Sequence, residues 1–369
     1  MTHSRTSRRL LRSAVGASAA VLLAGGTTLA VGSAVADGVD GTHSERTTAI
    51  ARPDNRAFPG SGAVVRRGTQ SASQEADDTQ VAGLVRIQTE VDFGEGEAAG
   101  TGMVLTSDGE VVTNHHVVAG ATAIEATDMA TGRTYTARVV GTDASDDVAV
   151  LRLEDASGLT TVRTDTDGLS VGDAVTAVGD ANGTADLSSA AGTVTALDRS
   201  ITTQSEQTVQ GERLTGLIEL DADVISGDSG GATYDAEGEV VGMTTAASSG
   251  SAEVTGYAIP IDRVLAVADD LSDGVSGADY TYGLPAFLGV ALGQGGTLAG
   301  VYDDSAAASA GLAAGDTITA IDGTSVSGTS GLSRAIAAHS PGDEVSLTWT
   351  DQAGASHDAT VTLGDGPVA

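Results

Sequence analysis

Between residues 81 and 265 the chain breaks into short apolar runs parted by turn residues. Val81-Ala-Gly-Leu-Val-Arg-Ile87 is the first, and Thr101-Gly-Met-Val-Leu105 passes through Ser107-Asp108-Gly109 into Glu110-Val-Val-Thr113. Further runs cover 135–140, 148–153, 174–178, 192–197, 239–245 and 255–259. Many such runs in succession, with few helical periods among them, predict an all-β barrel or sandwich. Only 260–268 reads as a helix, with Pro260 at its start. Aromatic residues make up 3% of the chain, so the core of this fold has to be built from Val, Ala, Leu and Ile.

A second unit is expected over 284–366, after a polar connection at 273–283. It opens with Phe287-Leu-Gly-Val290 and a strand near Gly300. A short Ala-rich helix over 306–312 and a turn at Gly315-Asp316 lead into Thr317-Ile-Thr-Ala-Ile321. A helix over 332–338, with Ser330 as its cap, and strands over 345–349 and 359–363 complete a small α+β domain. The first unit is expected to span 79–272.

The other end of the chain has the marks of an export signal. Arg5, Arg8, Arg9 and Arg12 precede a weakly apolar stretch, 14–35, that ends in Ala34-Val35-Ala36. This predicts cleavage after Ala36. The bland alternative is an uncleaved anchor, for which the segment is long enough but glycine-rich. Ser7-Arg8-Arg9-Leu10-Leu11 matches the twin-arginine export motif in part. Residues 37–78 show no hydrophobic period and are expected to be a disordered linker. The chain is therefore expected outside the cytoplasm, extracellular or on the outer face of the cell membrane. It has no cysteine, so packing alone must hold it together.

The net charge is −32, and every cation except histidine is arginine. Such a surface repels nucleic acid and anionic lipid, which makes both poor partners. Adaptation to high salt and compositional drift in a GC-rich genome are both consistent with it.

Ser226-Gly227-Asp228-Ser229-Gly230-Gly231 is the stretch with chemical content. Glycines on both sides of Ser229 let the backbone turn tightly and expose one hydroxyl. The N–H groups of Gly227 and Ser229 are then expected to face a developing oxyanion. A general base must be near. Of six histidines, His3 lies in the signal, His43 in the linker, and His339 and His357 in the second unit. That leaves His115 and His116, at the end of a strong strand. Two adjacent histidines point apart and lack a partner at helical spacing, so no metal is expected, and no cofactor either. Asp147 leads directly into the apolar strand Val148-Ala-Val-Leu151 and is placed to receive an imidazole N–H; the bland reading is a turn residue, as for Asp143 and Asp146. Gly227-Asp-Ser-Gly-Gly231 also fits the Gly-x-Ser-x-Gly turn of α/β-hydrolases. Those need the order serine, acid, histidine and a helix-rich sheet, whereas here histidine and acid come first on a β scaffold.

Taken together, Thr113-Asn-His-His-Val117, Asp147-Val-Ala-Val-Leu151, Gly227-Asp-Ser-Gly-Gly231 and Tyr257-Ala-Ile-Pro260 resemble the HtrA/Deg serine proteases. Phe287-Leu-Gly-Val290, Ala310-Gly-Leu312, Gly315-Asp-Thr-Ile318 and Ala320-Ile-Asp-Gly323 resemble the PDZ domain that follows the protease in that family. The resemblance covers roughly 79–365. It implies a mainly β architecture, a trypsin-like double β-barrel followed by a small α+β PDZ domain. It implies an endopeptidase of unfolded proteins with His116, Asp147 and Ser229 as the triad and His115 exposed, and it allows a homotrimer. The PDZ unit is expected to take C-terminal peptides, with Phe287, Leu288 and Gly289 at the carboxylate and Leu332 and Ile336 along an apolar pocket. Core packing is the equal alternative for the last two. The competing function is a non-catalytic peptide-binding or chaperone protein on the same fold.

Three positions near the serine depart from the family pattern. Ser226 and Asp228 stand where Pro and Asn are usual, and Asp228 is read as stabilising the turn. Asp223 lies six residues before Ser229, where trypsin relatives select basic side chains. It implies either a basic preference at that subsite or chance in an acid-rich chain.

Overall fold

The computed structural model describes residues 73–369 apart from 92, 94–95, 184–185, 203–212, 248–254 and 278. The expected export signal, 1–36, and residues 37–72 of the expected linker lie outside the described residues. Among the described residues no helix is long and apolar enough to cross a membrane.

Order begins slightly earlier than the apolar pattern suggests. β1 (Gln74–Glu75) pairs with Ser188 and Ser189, and a one-turn helix, α1 (Asp78–Val81), follows. Asp77 caps it by accepting the N–H groups of Thr79 and Gln80, while Gln80 returns a bond to the Asp77 N–H. Residues 74–78 are thus structured rather than linker, and Val81 ends a helix instead of starting a strand.

Next come β2 (Leu84–Val91), β3 (Gly96–Val104), β4 (Glu110–Thr113), α2 (His115–Val118), β5 (Ala121–Asp128), β6 (Thr134–Asp143) and β7 (Val148–Leu153). The strands run in the order β6-β5-β2-β3-β4-β7, and β7 pairs back onto β6, closing a barrel. The second half repeats the plan with β8 (Ala174–Gly179), β9 (Ser188–Thr202), β10 (Arg213–Leu220), β11 (Ala232–Tyr234), β12 (Val240–Ala247) and β13 (Gly256–Pro260). Their order is β9-β10-β13-β12-β11-β8, closed by β8 on β9, with β1 on the outside of β9. Closure removes the unpaired edges that would otherwise invite aggregation.

Each barrel has its own aliphatic interior. Val85, Ile87, Val111 and Leu151 fill the first, and Val175, Ala177, Ile218 and Leu220 the second. A third cluster joins the two barrels, with Leu84, Met103, Val112 and Val150 from one against Val178, Leu217, Met243 and Ile259 from the other. The helix α3 (Ile261–Ser272) lays Ile261, Val264, Val267, Ala268 and Leu271 on that seam, a spacing that presents one face. Active sites built between barrels depend on this seam, because it fixes which strand ends meet.

The connection to the second unit is itself a strand. β14 (Tyr280–Tyr282) adds to the open side of β6, pairing with 141–143. The second unit contains β15 (Ala286–Phe287), β16 (Val290–Leu292), β17 (Leu298–Val301), α4 (Ala306–Ala310), β18 (Thr317–Ile321), β19 (Thr324–Ser325), α5 (Gly328–Ile336), β20 (Glu344–Thr350), β21 (Ser356–Thr362) and β22 (Gly364–Asp365). Its core gathers Leu288, Leu298, Ile318, Leu332, Leu347, Trp349 and Leu363. Helix α5 starts four residues before the apolar pattern suggests, behind Ser327 rather than Ser330.

Candidate active site

Strand β4 delivers its last residue, the buried Thr113, to the mouth of the first barrel. Asn114 then takes an extended conformation and ends the strand; its Nδ2 donates to the Asp147 carbonyl at 3.0 Å. One helical turn follows, with Val117 and Val118 packed into the barrel and His116 facing outward with a third of its side chain exposed. Asp147 sits just before β7 with φ 55°, a left-handed conformation that aspartate tolerates better than most residues. This bend turns its carboxylate towards α2.

There it is held on several sides. The backbone N–H of His116 donates to Oδ1 at 3.0 Å, and His116 Nδ1 lies 3.0 Å from Oδ1 and 2.9 Å from Oδ2. The Thr245 hydroxyl donates to Oδ2 at 2.5 Å. Asp147 is 1% exposed. Burial opposes its charge, but the His116 imidazole, the hydrogen bonds from that ring and from Thr245, and the His116 amide outweigh it, so the carboxyl sits below its usual range. A carboxylate beside Nδ1 requires a proton there, which leaves Nε2 as the basic nitrogen.

His115 was expected to be exposed, and it is not: it is 4% exposed, with Nε2 3.0 Å from the Ala369 oxygen. The helical turn at 115–118 explains this, since it rotates adjacent side chains by about 100° and drives His115 under residues 366–369. Val368 is buried there against Val117 and Ala121, and its N–H donates to the Ala121 carbonyl.

The turn that carries Ser229 leaves β10 through Asp223 and closes at Ile225. Asp228 N–H donates to the Ile225 carbonyl, and the Asp228 carboxylate accepts the Ile225 N–H at 2.9 Å, so the residue does stabilise the turn. Gly227 has φ 98° and Gly230 φ 81°. Gly230 has no room for a side chain, because a Cβ there would lie 2.0 Å from the Thr101 carbonyl oxygen. Gly227 and Ser229, the expected oxyanion donors, occupy the turn on either side of Asp228. The Ser229 hydroxyl donates to the Thr245 carbonyl at 3.1 Å. Thr245 therefore touches both Ser229, through its carbonyl, and Asp147, through its hydroxyl. By that residue the three groups named from the sequence are brought into one network. Asp223 is half-buried, and its charge, with that of Asp180, adds to the burial that pushes the Asp228 carboxyl up to about 6.

Thr245 was not picked out from the sequence as functional. It lies at the end of an apolar run in a chain rich in threonine, and nothing local distinguishes it. Three carboxylates, those of Asp165, Asp235 and Glu239, come within 4.8 Å of one another outside this site. Glu239 is paired with Arg163, Asp235 accepts the N–H groups of Glu237 and Glu239, and Asp165 accepts the Asp167 N–H.

In the second unit, Phe287 ends β15, and Leu288 and Gly289 link it to β16. Gly289 has φ 84°, and a Cβ would lie 2.0 Å from the Ser305 side chain. Its carbonyl accepts the Tyr302 N–H at 3.0 Å, and the Leu288 carbonyl accepts the Ala307 N–H. Leu288 and Leu332 are core residues, 2% and 3% exposed, while Ile336 is half-buried at the rim. Phe287 stacks on Phe93 from the first barrel at 4.7 Å, with Tyr302 against both. Strand β16 pairs with β17 on one side, and no strand flanks its other side among the described residues.

Comparison with known proteins agrees with this division. Residues 100–243 match the trypsin-like peptidase domain, and residues 286–362 match the PDZ domain. A probable periplasmic serine endoprotease, DegP-like, of Halomonas elongata is 34% identical over 285 residues, covering 74% of this chain and 58% of that protein. The serine protease PepD of Mycobacterium tuberculosis is 32% identical over 305 residues, covering 75% and 63%. The periplasmic serine endoprotease DegP of Escherichia coli K12 is 31% identical over 263 residues, covering 68% and 54%. The chain thus spans little more than half the length of these relatives. Among solved structures, the HtrA-type protease AlgW with decapeptide aligns at a TM-score of 0.45 and 25% identity, over 79% of this chain and 99% of that one.

Proposed function

This chain belongs to the HtrA/Deg family of trypsin-like serine proteases with a PDZ domain, and from that premise we propose that it is an exported endopeptidase of unfolded or misfolded proteins. The observation that carries the reading is the Thr245 junction, where the acid that holds His116 and the hydroxyl of Ser229 meet on one residue. His116 Nε2 takes the Ser229 proton while Oγ bonds to the scissile carbonyl carbon. The carbonyl oxygen becomes an anion facing the N–H groups of Gly227 and Ser229. The amine leaves with the proton from Nε2, and water, deprotonated by the same nitrogen, releases the acyl group. Asp147 keeps Nδ1 protonated and stabilises the imidazolium.

The PDZ unit takes peptide chain ends by strand addition along β16, with the Phe287–Gly289 segment receiving the terminal carboxylate. The protein acts as a homotrimer, extracellular or on the outer face of the cell membrane. In support of export, the relatives from Halomonas elongata and Escherichia coli are named as periplasmic serine endoproteases. Ser229→Ala is expected to abolish casein cleavage and labelling by a fluorophosphonate, with the melting temperature unchanged. Turnover retained by that variant would overturn the assignment.

A further inference from the structure

Thr101, in β3, is fully buried where the two barrels meet, and four hydrogen bonds converge on it. Its N–H donates to the Ser229 carbonyl at 2.9 Å. Its own carbonyl accepts the Thr113 hydroxyl at 2.7 Å, one residue before Asn114 and two before α2. Its hydroxyl oxygen accepts the Asp180 N–H at 2.9 Å and lies 3.0 Å from the Gly227 carbonyl oxygen. An amide N–H has one proton and points it at Thr101 Oγ1. The hydroxyl proton is then left for Gly227, so the direction of that bond is settled by the chemistry of its neighbours.

We propose that the Thr101 hydroxyl is a positioning residue for the oxyanion turn, an inference that rests on Ser229 being the nucleophile. One residue of the first barrel holds the carbonyls of both Gly227 and Ser229, the two residues whose N–H groups face the anion. It also holds the end of the strand that leads to His116. Gly227 lacks a side chain and stands at φ 98°, so nothing of its own restrains its peptide groups. The Thr101 hydroxyl supplies that restraint from 126 residues away in the chain. Simple space filling does not require it, since valine has the same shape and no burial cost for a polar group. Without the hydroxyl, the Gly227 carbonyl loses its donor, and the Gly227 N–H loses its aim. That donor acts on charge present only in the transition state, so its loss reads in kcat and not in KM. Removing such a donor outright costs about 100- to 1,000-fold, and misaiming it is expected to cost about 10- to 100-fold.

The test uses the full chain and a fluorogenic peptide, with a peptide boronic acid as tetrahedral mimic. Thr101→Val is expected to lower kcat by about tenfold or more, with KM within about twofold and boronate affinity reduced by the same factor as kcat. Thr101→Ser keeps the hydroxyl, loses the methyl, and is expected to restore most of kcat. Thr233→Val serves as control: it removes a buried hydroxyl that meets Thr244 at 3.1 Å and is expected to lower the urea midpoint without changing kcat. If Thr101→Val keeps kcat within about twofold, raises KM instead, or is not rescued by serine, the inference falls. If the valine variant does not fold, the serine variant decides alone, because a tenfold loss of kcat with the hydroxyl in place would overturn it. A wild-type protein without turnover would overturn the endopeptidase reading and this inference with it.

Discussion

Asp228 brings a carboxyl group to a place that is 4% exposed and gives it one backbone donor, the Ile225 N–H. Its other oxygen, Oδ1, has no hydrogen-bond partner and lies against Gly179. Burial, and then the charges of Asp180 and Asp223, push the group up to about 6, while the Ile225 bond only partly offsets them. The unfolded chain releases this proton near the ordinary aspartate value, about 3.9. Between about pH 4 and pH 6 the folded state therefore holds more protons than the unfolded state, and stability falls as pH rises through that window. Above it the cost is constant, on the order of 2–3 kcal/mol. Asp228→Asn keeps an acceptor for Ile225 and removes the charge. It is expected to be more stable than the wild type at pH 7.5 by about that amount, with the difference gone at pH 4. Urea unfolding at the two values checks this; equal midpoints at pH 7.5 would show that the carboxylate is better solvated than its surroundings indicate.

At the scale of elements, the turn around Ser229 is defined more by what cannot fit than by what attracts. Gly230 combines φ 81° with a carbonyl oxygen 2.0 Å from where a Cβ would lie, and Thr113 Oγ1 at 2.3 Å. Gly274, after α3, has φ 68° and open space around it. Gly230→Ala is expected to abolish proteolysis and lower the melting temperature, whereas Gly274→Ala is expected to cost only about 1 kcal/mol of backbone strain. Activity assays and thermal melts on the pair separate steric exclusion from the general cost of a left-handed residue. The strands show the same contrast between local and imposed structure. Glu110–Thr113, Val148–Leu153 and Thr317–Ile321 coincide with apolar runs read from the sequence. Ala121–Asp128 and Arg213–Leu220 do not. The first mixes alanine and polar residues with a single isoleucine, and the second carries Gly216 at φ 69°; each is held by strands on both sides. Barrel closure supplies there the pairing that the local sequence does not announce.

For the whole molecule the dominant quantity is charge. A net −32 on 369 residues makes the folded state repel itself. Screening shortens the reach of that repulsion from about 10 Å at 0.1 M salt to about 3 Å at 1 M. The melting temperature is expected to rise steadily from 0.1 to 2 M NaCl, and a flat midpoint would remove self-repulsion as a factor. The same charge gives weight to neutral contacts that join the peptidase and PDZ units among the described residues, such as β14 on the side of β6, the Phe93, Phe287 and Tyr302 rings, and Val368 in the first barrel.

The sequence by itself determined the two-unit plan, the mainly β character, and the residue types of the site. Strand alternation, turn glycines and the order His116, Asp147, Ser229 are properties of neighbours along the chain, and a chain can be read for them directly. Only the tertiary structure decided that Thr245 joins the acid to the serine, that His115 is enclosed, that Asp228 lacks a partner for one oxygen, and that Thr101 reaches Gly227. Those pairs are separated by as many as 98 or 126 residues, or more. No short-range pattern encodes them, because each exists only once two closed barrels are pressed together along a shared seam.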